Sequence, residues 1–348
     1  MRIITQLSML LCLFASNMVA KGEDPVMTEE SAKVHFSNRN CIVSLDDAKD
    51  RVNFLWVNTE FTFTAKDCEA LREFDCLCFA HFKSCNLGRD GFSALLKNDK
   101  LVWVGLSATD ITDADLSQAF QFPKMVDISL CGTKISDKGI ESVCFKATNL
   151  EGIAIGNCRR VTDRSLAIIG GLKKLQKLDI SRCDAISDNG FGRMANLPQL
   201  TELNLRNLRI SDKFMESASR CPDMEKLQLS WSTVDDQGMK HIVSLQKLKK
   251  LEIMATKISA KSLEYIGQLK SLECLEIQEN GDLSSGIHFL KEATSLTTIY
   301  YDGGCSISAE GIKGLQGIKS LTDLYLGDTH TQEERERVQE SLPNVRVY

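Results

Sequence analysis

The chain has 348 residues, 43% of them hydrophobic and 26% charged, with five prolines and a formal net charge of −5. That composition is globular rather than disordered, and so few prolines exclude long stiff linkers. The acidic balance excludes a global attraction to DNA, RNA or an anionic membrane, so no nucleic-acid partner is expected.

In chain order, Met1 and Arg2 precede an apolar run from Leu7 to Ala15, after which Ser16 to Ala20 lead into Lys21, Glu23 and Asp24. A short basic start, a short apolar centre and a small residue before a polar stretch form the layout of a secretory signal, with cleavage expected after Ala20. The run is too short for a comfortable membrane span, and no later stretch of the sequence approaches one. Residues 21–52 are expected to be a flexible lead-in (GEDPVMTEESAK) followed by an N-terminal cap beginning at CIVSLDDAKDRV. Residues 53–76 form a degenerate first repeat, in which Phe63-Thr-Ala-Lys-Asp-Cys parallels Ile258-Ser-Ala-Lys-Ser-Leu. A cap is needed because the first unit of an array would otherwise expose an apolar face.

Clear repeats then start at Leu77, Leu101, Met125, Leu150, Leu175, Leu200, Met224, Leu248, Leu272, Leu296 and Leu321, always 24 or 25 residues apart. Leu175 begins LQKLDISRCDAIS, Leu200 begins LTELNLRNLRIS and Leu248 begins LKKLEIMATKIS. The chain closes with LPNVRVY, residues 342–348, which carries the strand half alone as a C-terminal cap. In L-x-x-L-x-L the apolar positions alternate, so they share one face of a short strand. The next inward position is taken by Thr133, Thr256, Asn280, Thr329 or by Cys85, Cys158 and Cys183. Ile or Val followed by Ser/Thr and often Asp then starts a helix, the hydroxyl serving as N-cap and the carboxylate suiting the positive helix end. Apolar residues at helical spacing follow, such as Met239 with Ile242 and Val243. Neither half buries its face alone, so neighbours must stack.

This pattern resembles the leucine-rich repeat family, over the whole chain beyond residue 77. The resemblance implies an α/β solenoid: a curved horseshoe with a parallel sheet on the concave face and helices on the convex one. The family usually binds another macromolecule rather than doing chemistry. The short repeats are similar to those of exported bacterial, planctomycete-like members, and the Cys/Thr variant also occurs in F-box substrate receptors. In the cysteine-containing subclass the inward position stacks as a ladder of buried thiols, which is what the resemblance implies for Cys85, Cys158 and Cys183. Disulfides are conceivable only among Cys41, Cys68, Cys76 and Cys78, with the pairing open.

Strand positions between the leucines face the concave side and nominate a binding surface. Lys177, Asp179, Glu202, Asn204 and Lys226 belong to a mixed-charge band, with Arg182, Arg206 and Trp231 at its edge; Trp and Arg are common interface hot spots. Tyr300, Asp302 and Tyr325 mark an acidic, aromatic C-terminal end, together with Glu276, Glu279, Asp323 and Asp328, suited to a basic or amide-rich segment. Phe79 and Trp103 are exposed by the register near the other end. Cys76, Cys78, His81 and Cys85 form C-x-C-x2-H-x3-C, which invites a zinc reading, but the repeat register sends Cys85 inward and separates His81 from Cys78. The histidines are scattered and no nucleophile motif accompanies them. The expectation is a monomeric, exported, non-catalytic protein with a protein partner, no cofactor and no metal. The alternatives are an intracellular F-box-like adaptor for a ubiquitin ligase and a metal enzyme using the Cys/His group.

Overall fold

Strict alternation in each L-x-x-L-x-L segment produces one short strand per repeat, and the strands stack in chain order. The structure, a computed structural model, describes residues 27–39, 41–45, 51–58, 61–117, 124–193, 197–302 and 307–348. The proposed export signal and residues 21–26 of the lead-in lie outside the described residues. Strands β1 (Ile42–Leu45) and β2 (Val52–Asn58) pair antiparallel. Every later pairing is parallel: β3 (Phe79–Lys83), β4 (Trp103–Ser107), β5 (Asp127–Ser129), β6 (Gly152–Ala154), β7 (Lys177–Asp179) and β8 (Glu202–Asn204) follow in order. The sheet continues through β9 (Lys226–Gln228), β10 (Lys250–Glu252), β11 (Cys274–Glu276), β12 (Thr298–Tyr301), β13 (Asp323–Leu326) and β14 (Arg346–Val347). The result is one sheet of 14 strands with neighbours in sequence as neighbours in space: an α/β leucine-rich repeat solenoid.

The core runs the length of the sheet as rows of repeated residues. Leu175, Leu178 and Ile180 are buried, as are their counterparts Leu200, Leu203, Leu205 and Leu248, Leu251, Ile253. Each fully buried aliphatic side chain contributes about 1.5–3 kcal/mol relative to exposure. The inward turn position is also filled. Cys158 and Cys183 are fully buried, and their Sγ–H groups reach Leu130 O at 3.1 Å and Ile155 O at 3.2 Å. Thr133 makes the same bond to Leu130 O at 2.7 Å. Burial pushes the Cys183 thiol up to about 12. Thr329 departs from the expected inward position. It is exposed and its hydroxyl donates to Asp302, while His330 takes the buried place; the turn after β13 lacks the left-handed residue that precedes this position in the other turns described.

Two features of the repeat were not anticipated. In most described repeats the residue leaving the strand turn adopts the left-handed region: Ser84, Ala108, Gly132, Asn157, Arg182, Asn207, Trp231, Ala255 and Glu279 have φ between 51° and 70°. This turns the backbone N–H toward the next repeat, as in Arg182 N donating to Arg206 O at 2.9 Å and Trp231 N to Met254 O at 2.8 Å. The Asp after the helix cap also does more than face a helix dipole. Asp113 accepts from Ser136 N at 2.7 Å and Asp163 from Ser187 N at 2.7 Å, each reaching the cap of the following repeat.

The lead-in is more ordered than its composition suggested. Residues 29–33 of the supposedly flexible stretch belong to helix Glu29–Asn38, because Thr28 and Ser31 make a capping box and Ala32 and Phe36 bury against the array. This cap is anchored at the fully buried Asp67, which accepts from Thr64 N at 2.6 Å and pairs with His35 at 2.8 Å and with Arg39. On the convex side, the helical spacing at Met239, Ile242 and Val243 resolves into a short α-turn, Asp236–Met239, and a 3₁₀ segment, Lys240–Ser244; Ser284–Glu292 is also 3₁₀. A 3₁₀ turn rises further per residue than an α-turn, which lets these 24-residue repeats cross the convex side with little chain.

Candidate interaction surface

Strand register aligns the concave side chains in columns. The middle column runs Trp56, His81, Gly105, Ser129, Ala154, Asp179, Asn204, Gln228, Glu252, Glu276, Tyr300 and Tyr325. It divides the surface into four zones: aromatic, small, charged and aromatic again.

The charged zone is knit together by Glu252, which is 2% exposed despite lying on the concave sheet. Its carboxylate pairs with Arg206, receives Lys250 Nζ at 3.0 Å and accepts from Gln228 Nε2 at 2.7 Å. Lys250 also reaches Glu276 at 2.8 Å, and Lys177 pairs with Glu202 at 3.1 Å. Burial alone would raise the Glu252 carboxyl; the hydrogen bonds from Gln228 and Lys250 and the nearby Arg206 charge hold it below the ordinary value. For Lys250 burial works against the ammonium, and the two carboxylates reverse that and raise it. Asp127 differs: burial lifts its carboxyl above the usual range, and Lys177 counters this only in part.

The structure brings together most of the expected band. Asp179 and Asn204 form the floor beside Lys177 and Glu202; Asp179 Oδ1 accepts from Ser181 N at 2.8 Å and Asn204 Oδ1 from Arg206 N at 3.1 Å. Arg206 lies 5.9 Å from the centroid of the Trp231 ring. Trp231 is 46% exposed, while Arg182 is exposed and Lys226 half-buried. Two openings, of about 200 and 430 Å³, share Asp179 and Asn204 and so form a continuous trough.

The C-terminal end is not the open acidic surface expected. Asp302 is engaged by Thr329, Asp323 pairs with Arg346 at 2.6 Å, and Glu276 is held by Lys250. Glu279 and Asp328 remain exposed. The neutralising cations come from other repeats, which is why a reading within one repeat missed them. Tyr300 and Tyr325 stack at 4.4 Å, and Tyr348 extends the stack at 4.5 Å. Tyr348 was missed because the closing LPNVRVY was read as a cap, without its concave positions.

At the other end Phe79 and Trp103 are joined by Phe54 and Trp56, and the Trp56 and His81 rings stack at 4.6 Å, nearly parallel. His81 is thereby an aromatic-stack member, its basicity lowered by burial and by Lys83. Cys85 is buried, whereas Cys76 and Cys78 lie at the start of the repeat. Among the described residues no group of three or more His, Cys, Asp or Glu is arranged to hold a metal ion. The bridge candidates Cys41, Cys68, Cys76 and Cys78 are all free thiols.

Comparison with known proteins agrees with this geometry. A leucine-rich repeat family model matches residues 171–191. An internalin from Listeria monocytogenes superposes with a TM-score of 0.50 at 16% identity, covering 87% of this chain and 95% of that one. A leucine-rich repeat protein from Leptospira interrogans superposes equally, TM-score 0.50 at 17% identity, covering 84% of this chain and 82% of that one. A Trypanosoma equiperdum protein, whose name assigns it provisionally to adenylate cyclase regulation, is 29% identical over 83 residues, 24% of this chain and 12% of that protein. What these similarities share with this chain is the fold, a leucine-rich repeat solenoid.

Proposed function

We propose that this protein is exported and recognises a protein partner through its concave face, without chemistry of its own. The observation that carries this reading is Trp231, 46% exposed beside Arg206 at the lip of a trough that crosses the middle of the sheet. Exposed tryptophan and arginine around a concave floor match the composition of interface hot spots. The surrounding ion pairs hold the floor rigid before binding, which lowers the ordering entropy a partner must overcome. The buried thiols of Cys158 and Cys183 support placing the chain in the cysteine-containing subclass. Export rests on the N-terminal sequence pattern; among the described residues no helix is long and apolar enough to cross a membrane.

The test is affinity capture with the full chain, beside a Lys226→Glu, Trp231→Ala variant and a Phe145→Ala variant. Phe145 is 83% exposed on the convex helix Asp137–Lys146. A partner held by wild type and by Phe145→Ala but lost by the concave variant supports the reading. A partner lost only by Phe145→Ala overturns it.

A further inference from the structure

The two rims of the solenoid come from one repeat but handle charge in opposite ways. On the rim where the chain enters each strand, two lysines are paired with carboxylates, Lys247 with Asp223 at 2.5 Å and Lys249 with Glu225 at 2.9 Å, and Lys174 Nζ donates to the neutral amide of Asn149 at 2.8 Å. On the rim where the chain leaves the strands, Lys134, Arg159, Arg160, Arg182 and Arg209 are exposed. None of them joins an ion pair among the described residues, whereas Arg164, Lys177 and Arg206 close by all do. Asp184 is the single carboxylate in the same turns, 132–134, 157–160, 182–185 and 207–209.

These cations are close together. Lys134, Arg159 and Arg209 occupy one position in the repeat, and neighbouring strands stand about 4.8 Å apart. Lys134 and Arg159, in adjacent repeats, therefore lie within a Debye length of about 8–10 Å and repel one another, while Asp184 holds the same position between Arg159 and Arg209. A ligand with several carboxylates relieves that repulsion, and guanidinium groups suit it because each can grip a carboxylate with two parallel N–H donors.

Beside this rim lies the larger opening, about 430 Å³, with Gly156, Ser181 and Cys131 on its floor and Arg182, Arg206 and Trp231 on its wall. The floor is close-fitted: a Cβ on Gly156 would sit 2.6 Å from Ser181 Oγ. It leaves room for a main chain without large side chains competing for the space.

We propose that the strand-exit rim and this trough form a docking site for an extended, acidic protein segment, whose carboxylates lie on Arg159, Arg160 and Arg182. The floor favours a peptide over a nucleic acid. Asp179 lines the trough and Asp127 and Glu202 line the opening that continues it, so a uniform row of phosphates meets repulsion there. A peptide can place neutral residues over them. The inference rests on the concave-face reading and names the class of partner.

The probe is a labelled peptide of alternating Glu and Ser, titrated against the full chain by fluorescence anisotropy at low and physiological salt. Saturable binding is expected, weakened about tenfold or more in Arg159→Glu, Arg160→Glu, Arg182→Glu and little changed in Lys174→Glu, Lys249→Glu on the entry rim. Circular dichroism melting of each variant shows that it is folded. Absence of saturable binding, equal weakening by both variants, or tighter binding of a labelled single-stranded oligonucleotide would overturn the proposal. If the acidic peptide does not bind while a captured partner still depends on Lys226 and Trp231, this inference fails and the concave-face reading stands.

Discussion

The Asp137 carboxylate accepts from the backbone N–H of Thr162 at 2.9 Å and from its hydroxyl at 2.7 Å, one full repeat further along the chain. Ser165 adds a third bond at 2.5 Å. The relationship recurs between Asp236 and Ser259, where the distances are 2.9 and 2.6 Å. The Ser/Thr-Asp signature of the repeats is thus a latch: the hydroxyl residue caps its own helix, and the aspartate holds the cap of the next one. Because a solenoid repeat contacts only its neighbours, such links bear directly on cooperativity along the array.

Replacing Asp137 by Ala removes three acceptor contacts and leaves the Thr162 cap without its partner. Hydrogen bonds to charged groups contribute about 1.5–3 kcal/mol each but are not additive, so a loss of roughly 2–4 kcal/mol is expected in urea denaturation. Asp137→Asn keeps one acceptor oxygen and should lose less. Equal losses for the two variants would show that the contacts are not hydrogen bonds to the carboxylate.

The latches also predict how stability depends on pH. Burial works against ionisation of Asp137 and Asp236, but the hydrogen bonds they accept outweigh it and hold both carboxyls below the ordinary value. Groups depressed in the folded state contribute fully above the unfolded value. Their contribution disappears as pH falls from about 5 through the folded values, where the unfolded chain binds more protons. Denaturation midpoints should therefore fall on acidification through that window, and less steeply in the double variant Asp137→Asn, Asp236→Asn.

Asp127 should behave in the opposite sense. Its carboxyl is raised by burial, so folding is opposed by its ionisation at neutral pH and favoured as it protonates. Asp127→Asn is expected to be more stable than wild type at pH 7, by a margin that closes on acidification. A variant less stable at pH 7 would mean that the charge interacts with Lys177 more than it suffers from burial.

Glu252 predicts a larger effect. It is the shared partner of Arg206, Lys250 and Gln228 in the sheet. Glu252→Ala leaves Arg206 and Gln228 without their shared acceptor while Lys250 keeps Glu276, so the cost should approach but not exceed the about 3–5 kcal/mol of breaking a fully buried pair. Arg206→Ala should cost less, because Lys250 still neutralises the carboxylate. Thermal unfolding of the two variants, measured side by side, checks the order.

The periodicity of the leucines made the architecture legible, because a buried row admits no substitute for apolar residues at fixed spacing. Lys177, Asp179 and Asn204 were legible as strand residues between the leucines for the same reason. Other features were not, since they depend on pairs between repeats. The Asp–Ser/Thr latches span 23–28 residues, and Asp323 meets Arg346 in the cap. The left-handed turn was hidden because Ala108, Arg182 and Trp231 occupy it where glycine would have signalled it. The helix after Thr28 was masked by a charged, polar composition whose order comes from packing of Phe36 against Phe74 at 5.7 Å.

Recognition at the middle of the concave face can be read out by hydroxyl-radical footprinting of the protein with and without its captured partner. Oxidation of Trp231 should fall on binding while oxidation of Phe145 on the convex side does not change. Protection of Phe145 with Trp231 left unprotected would contradict it.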